Sequence, residues 1–422
     1  MIAMTKKNDI TILSIVHPIC CALDVHKKSI SACLVSVNTL GEEQSEVREF
    51  GTFTDDLIKM RDWLLKNDCP IIAMESTGVY WRPVHNILEG YMEVILANAR
   101  HIKNVPGRKT DISDCKWLAG LLRHGLIKGS FIPEKKVRQW RELTRLRRSY
   151  TEAVGDHKRR VHKLFECANI KIDSVVSDLF GKTGRNLITL LCEGKADLSL
   201  KNIQECAHGS LKEKGEELHR SIQGFFEDHH RFQLKSLMRI IAMIEGELAT
   251  ITARLSQLME PYQDLLDLLD EIPGIDQVAA QSVISEIGVT LEAFVTTMSF
   301  TSWAGLCPGN NQSGGKRKSG KSPVRKHPFK TIMIQIAWAA IKKKNSYYKN
   351  KYYLLKARRG PKKAIVAIAH RIAKVIYSII KTGEPYQDLG EEYLMNINKS
   401  KRISHLQKQA HLLGFELVPA KI

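Results

Sequence analysis

The alternation of strand-like and helix-like runs in the first hundred residues restricts the fold more than any other feature. "CALDVHKKSISACLVSV" reads as a buried strand, a turn around Lys27-Lys28 and a second strand. "REFGTFT" supplies a third strand, and "DDLIKMRDWLLKN" has helical spacing. The apolar run "PIIAMES" is a short strand, "YWRPVHNILEG" a helix and "MEVILAN" a further strand. In "KTDISDCKWLAGLLRHG", Trp117, Leu118, Leu121 and Leu122 make an apolar stripe on a short helix. Strands separated by helices predict an α/β domain with a mixed sheet, placed here at 18–135.

From Gln139 to about Tyr262 the pattern turns helical, giving a second region at 136–263. Trp140, Leu143, Leu146, Tyr150 and Val154 form one stripe. Leu234, Leu237, Ile241, Ile244, Leu248, Ile251, Leu255 and Leu258 follow alternating spacings of three and four, a heptad seam. Two arrangements satisfy that seam: an antiparallel hairpin within one chain, or a coiled coil joining two protomers. Between them, 167–230 reads as short helices and loops. A third region, 264–390, opens with "LLDEIPGIDQVAAQSVISEIG", helix, Pro-Gly turn, helix. This is either a helix-hairpin-helix offering backbone N–H groups to a phosphate or an ordinary αα-corner. A Gly/Ser/Asn-rich loop follows, then basic helices at 328–345 and 361–381. Tyr347, Tyr348, Tyr352 and Tyr353 interleave with lysines, a pattern suited to sugar-phosphate and stacked bases. Residues 391–422 form a tail.

Charge narrows the partner. The chain of 422 residues carries a formal net charge of +19. Between Ala293 and Gly383 there are twenty Lys or Arg and no Asp or Glu, so the remainder is close to neutral. A single-sign block containing apolar helices implies a folded domain for a polyanion, nucleic acid first. The nine cysteines lack zinc-site spacing and read as reduced thiols of a cytoplasmic protein. "ITILSIVHPICCALDV" has a signal-like apolar run, but His17, Pro18 and the charged continuation fit a leader poorly. No run approaches the roughly 20 apolar residues of a membrane span, so no membrane partner is expected.

Acidic residues stand out against that basic background. Asp24 ends one buried strand and Glu75 another, where α/β folds place ligand groups. Asp111 and Asp114, three apart on a helix, follow a further strand. Side by side they repel, and a cation between them removes the repulsion. Four hard oxygen donors suit Mg²⁺ or Mn²⁺, and two such ions assist phosphodiester cleavage. Arg108, Lys109 and Lys116 lie near enough in sequence to hold DNA phosphates.

Together "CALDVHKKSISACLV", "AMESTGVYW", "NARHIKNVPGRKTDISDCKWLAGLLRHGL" and "WAGLCPGNNQSGGKRKSG" resemble the DEDD transposases of the insertion-sequence one-hundred-and-ten family, in its longer-chained branch. The resemblance covers nearly all of the chain. It implies an N-terminal RuvC-like, RNase H-like domain, a helical coiled-coil middle and a mostly helical C-terminal transposase domain. By motif, the DEDD carboxylates fall on Asp24, Glu75, Asp111 and Asp114. The resemblance further implies a serine nucleophile at Ser313; the residues themselves make Lys316, Arg317 and Lys318 beside it, and Lys321, Arg325 and Lys326 beyond, candidate nucleic-acid contacts. It implies strand exchange through a phosphoserine intermediate, a homo-oligomer (dimer or tetramer) and a structured noncoding RNA that pairs with donor and target DNA. A prokaryotic cytoplasm, with nucleoid association on DNA, is the expected location. One departure is "SPVRKHPFKTIMIQIAWAA", where the family usually has a glycine and a Leu-Arg-containing helix. Two other readings compete: a RuvC-like structure-specific endonuclease, which does not need Ser313, and a catalytically silent DNA-binding regulator.

Overall fold

The computed structural model describes residues 14–38, 42–76, 78–97, 114–194, 198–309, 311–313, 316–319, 327–390, 392–416 and 418. The chain divides into two compact units, Met1–Ile132 and Pro133–Ile422.

The first unit is a five-stranded mixed sheet with helices on both faces. Its strands are β1 (Cys20–Val25), β2 (Ser29–Val37), β3 (Glu43–Gly51), β4 (Ile71–Glu75) and β5 (Glu93–Ala97), in the order β3-β2-β1-β4-β5. β1 pairs antiparallel with β2, and β2 with β3, while β1–β4 and β4–β5 are parallel. The parallel pairs need crossovers, and the helices α1 (Thr54–Lys66) and α2 (Trp81–Leu88) supply them. Alternation along β1 and β4 sends Leu23, Ile72 and Met74 to one face, against Leu57, Met60 and Leu64 of α1 and Val84 and Leu88 of α2. The other face, with Cys20, Ala22, Ile71 and Ala73, is covered by Cys115, Leu118, Ala119 and Leu122 of α3 (Asp114–Arg123).

In the second unit, the long helices α4 (Lys135–Cys167) and α8 (Asp228–Met259) lie antiparallel. Lys136 meets Tyr262 just beyond α8, Lys158 meets Glu245, and Phe165 meets Phe226 just before α8. Seam residues Leu234, Ile241, Ile251 and Leu255 are buried within the same chain. Of the two arrangements the heptads allow, the intrachain hairpin describes this packing. Short helices α5 (Lys182–Glu193), α6 (Leu200–Cys206) and α7 (Gly215–Ser221) fill the interval between them and share a core with Val161, Leu164 and Phe165. No helix among the described residues is long and apolar enough to cross a membrane.

Next come α9 (Gln263–Asp270) and α10 (Gln277–Ile287), the two arms of the Pro-Gly turn. Pro273 and Ile275 are buried. Gly274 has φ of +87°, and a Cβ there would meet the backbone of Ile336 and Ala340 at 2.5 Å. The turn is therefore packed as an αα-corner on α12 (Pro328–Ala340). Arginines of α4 grip α10. The buried Arg147 donates to Gln281 Oε1 (2.7 Å), Val278 O (2.9 Å) and Ser282 Oγ (3.1 Å), and Arg145 makes a two-pronged pair with the buried Glu286. These three acceptors offset much of the cost of burying the Arg147 guanidinium. The remaining helices are α11 (Thr297–Trp303), α13 (Tyr347–Arg359), α14 (Pro361–Thr382) and α15 (Glu392–Leu412). A two-stranded hairpin, β6 (Asn311–Ser313) and β7 (Lys316–Ser319), stands where the sequence predicts only loop.

The tyrosine reading needs correcting. Tyr347, Tyr348 and Tyr352 are buried. Tyr347 Oη accepts from Arg371 on α14 at 2.8 Å, and Tyr348 stacks on Tyr386. These rings are core, bound by partners that lie far off in sequence. Tyr353 alone of the four is exposed.

Candidate active site

Sheet register fixes the first pair of carboxylates. Leu23 on β1 pairs with Met74 on β4, so Asp24 and Glu75 come one residue later on neighbouring parallel strands, which run about 4.8 Å apart. By alternation both belong to the face of Cys20, Ala22, Ile71 and Ala73, the one that α3 covers. Both are partly accessible, neither sealed in the core nor fully solvated.

The direction of α3 brings the backbone of Asp114 toward the same end of the sheet. Cys20 Sγ, at the start of β1, lies 3.8 Å from Ala119 O, and the backbone N–H groups of Val16 and His17 donate to Arg123 O. The C-terminal end of α3 therefore sits at the start of β1 and its N-terminal end at the finish. Burial pushes the Cys115 thiol up, and the charge of nearby Asp24 adds to that rise. Asp114, the first residue of α3, precedes Cys115 in this turn. The apolar residues Cys115, Leu118, Ala119 and Leu122 at spacings of three and four press the helix onto the sheet, and this packing delivers its first residue to the strand ends.

Asp24 and Glu75 put two hard oxygen donors on adjacent strands at one edge of the sheet. Two carboxylates on adjacent strands repel each other in the absence of a cation, and a small divalent ion matches both their charge and their hardness. His26 Nε2 lies 3.2 Å from Asp24 Oδ2. That neighbour was missed in the sequence, although the spacing of two along an extended strand end was visible there. Lys116 is exposed on α3. Asp111, Arg108 and Lys109 lie outside the described residues.

Ser313 belongs to the second unit. It ends β6 and pairs across the hairpin with Lys316, while Gln312 pairs with Arg317. Lys318 follows on β7. The ladder thus sets Ser313 opposite Lys316, on the strand that carries the basic run. Lys321, Arg325 and Lys326 lie outside the described residues. A different group, Glu227, His229 and His230 at the start of α8, brings three metal-capable atoms within 4.8 Å of one another. The run "EDHH" was the available signal for it.

Comparison with known families gives two matches. A transposase family, the DEDD transposases of IS110 type, matches residues 21–169. The "Transposase IS116/IS110/IS902 family" matches residues 266–354. Together the two cover more than half of the chain. Comparison with curated proteins gave no match. The first match spans Asp24, Glu75, Asp111 and Asp114, and the second spans Ser313 and its hairpin.

Proposed function

The chain belongs to the IS116/IS110/IS902 family of transposases, and from that premise we propose that it cuts and exchanges DNA strands at the ends of an insertion sequence. Asp24, Glu75, Asp111 and Asp114 are the carboxylates of the centre. They hold Mg²⁺ or Mn²⁺, which when bound supplies Lewis acidity and neutralises charge at the scissile phosphate. Ser313 Oγ attacks phosphorus, forming a phosphoserine bond while the bridging deoxyribose oxygen leaves with its electron pair. A hydroxyl of a second strand then displaces Ser313 Oγ, so the phosphodiester count is conserved and no water is consumed. Lys316, Arg317 and Lys318, with Lys321, Arg325 and Lys326 beyond them, steady the negative phosphate oxygens. Arg108, Lys109 and Lys116 hold phosphates at the carboxylates. The working form is a homo-oligomer with a structured noncoding RNA, acting on the DNA of a prokaryotic cytoplasm.

The observation that carries this reading is the placement of Asp24 and Glu75 one residue beyond the last registered pair of two parallel strands, beneath the helix that Asp114 begins. A RuvC-like nuclease needs the same centre but no serine, and a silent regulator needs neither. Labelled element-end DNA, incubated with the protein and Mg²⁺ and run on a denaturing gel, separates the three. The wild type forms a protein–DNA adduct; Ser313→Ala forms none. Asp24→Asn and Glu75→Gln cut adduct formation by more than about 100-fold, since even an outer-shell change at a metal site costs ~10–100-fold. Nicked DNA with no adduct identifies the nuclease, and intact DNA in every lane identifies the regulator.

A further inference from the structure

We propose that Trp338 of α12 and Tyr353 of α13 form a stacking surface for an unpaired DNA strand. Of the six tryptophans, five are buried or half-buried, whereas Trp338 is 43% exposed; Tyr353 is 55% exposed. Both rings rest on the buried ring of Tyr352. Trp338 meets it edge-on with centroids 5.9 Å apart, and Tyr353 meets it edge-on at 5.4 Å. The buried tyrosine thus acts as a bracket that fixes two exposed aromatic rings on one surface. Rings held this way lose little freedom on binding, which is what a stacking contact needs.

Cations flank the pair along the chain. Lys356 Nζ sits 5.6 Å from the centre of the Tyr353 ring. Lys342, Lys343 and Lys344 are exposed just past the end of α12, and Arg358 and Arg359 are exposed at the end of α13. No Asp or Glu occurs from 293 to 383. A basic face built only to grip duplex DNA has no use for exposed rings, because paired bases present their edges in the grooves and hide their faces in the stack. Unpaired bases expose those faces, and aromatic side chains bind them regardless of sequence while lysines follow the phosphates. A protein–protein contact is disfavoured by the unrelieved positive charge, which a strand of phosphates complements. The choice of DNA rests on the transposase reading, since strand exchange leaves unpaired DNA at the site of cutting.

The test uses the full-length protein, a labelled oligo-dT strand, an oligo-U strand of equal length and a DNA duplex, at one fixed salt concentration. Trp338→Ala weakens oligo-dT binding about 5- to 150-fold, the span of one lost base stack, and leaves duplex affinity within about 2-fold. Tyr353→Ala acts in the same direction. Trp338→Phe, which retains a ring, stays within about 5-fold of wild type and guards against a folding defect. The protein–DNA adduct is scored in parallel on the same preparations, so failure of the strand-exchange chemistry is read separately from failure of this surface. The proposal is overturned if Trp338→Ala binds oligo-dT as the wild type does, or loses duplex and single strand equally. Tenfold tighter binding of oligo-U than oligo-dT overturns the assignment to DNA.

Discussion

Cysteine is the residue at which burial changes the chemistry most, since the sequence reads nine reduced thiols without saying which are buried. The structure places Cys20, Cys21, Cys33, Cys69 and Cys115 in the buried parts of the first unit, and all nine are free. Burial pushes Cys20 and Cys33 up to about 11 and Cys69 up to about 12, against an ordinary value of 9.0. They are therefore neutral at physiological pH and offer no thiolate to a metal or an electrophile. The same shifts set a stability window. Below pH 9 both folded and unfolded chains keep these protons, so the thiols add no pH dependence there. Between pH 9 and about 11 the unfolded chain loses them while the folded chain retains them, and stability falls as pH rises, by roughly 1.4 kcal/mol per pH unit for each thiol. Urea unfolding of the wild type followed from pH 8 to about 11 is expected to show that decline. The double variant Cys33→Ala/Cys69→Ala starts less stable, from the lost packing, yet declines less steeply. An equal slope in both proteins would assign the alkaline loss to other groups.

Secondary elements with a strong apolar period were legible in the sequence. β1, β2, α1, β4, α2 and β5 stand where alternation and helical spacing place them, because each buries a face against the same sheet. The ends of β1 and β4 were legible too, and with them the two carboxylates that terminate those strands. Fates decided by distant partners were not. Tyr347 and Tyr348 look like surface residues among lysines, but Arg371 and Tyr386 take them into the core. A three-residue strand such as β6 carries too short a pattern to be told from loop. The Pro-Gly turn between α9 and α10 shows the same limit: its sequence reveals a turn and leaves open which way the backbone faces. Gly274 resolves it, since its left-handed φ and its approach to Ile336 and Ala340 each exclude a side chain. Gly274→Ala is predicted to destabilise by about 2–4 kcal/mol through strain and displacement of α12. Gly246→Ala, on the exposed side of α8 with nothing within 4 Å, is the control and is expected to be neutral or slightly stabilising. Denaturant midpoints with unchanged slopes would measure both, and equal midpoints would show that α12 does not press on the turn.

At the scale of the whole molecule, the charge is segregated. The net +19 arises almost entirely from the segment 293–383, which by itself carries twenty cations and no acid. Affinity for DNA should therefore come largely from counterion release by that segment. Binding to a duplex of arbitrary sequence is expected to fall steeply with salt. Contact with 6–10 phosphates corresponds to a loss of about 10³–10⁵ between 50 and 200 mM. The three exposed lysines after α12 supply a graded version of the measurement. Lys342→Gln/Lys343→Gln/Lys344→Gln removes charge without touching a buried group, and each lysine that meets a phosphate subtracts about one from the slope of log affinity against log salt. The predicted change is a slope shallower by about two to three, with affinity lowered alike for every duplex sequence. By contrast, Asp24→Asn should leave the slope where it was, because it belongs to the nearly neutral remainder of the chain and to the chemical step. If the lysine triple variant kept the wild-type slope while Asp24→Asn changed it, the grip on DNA would lie in the first unit, and the positive segment would need another polyanion as its partner.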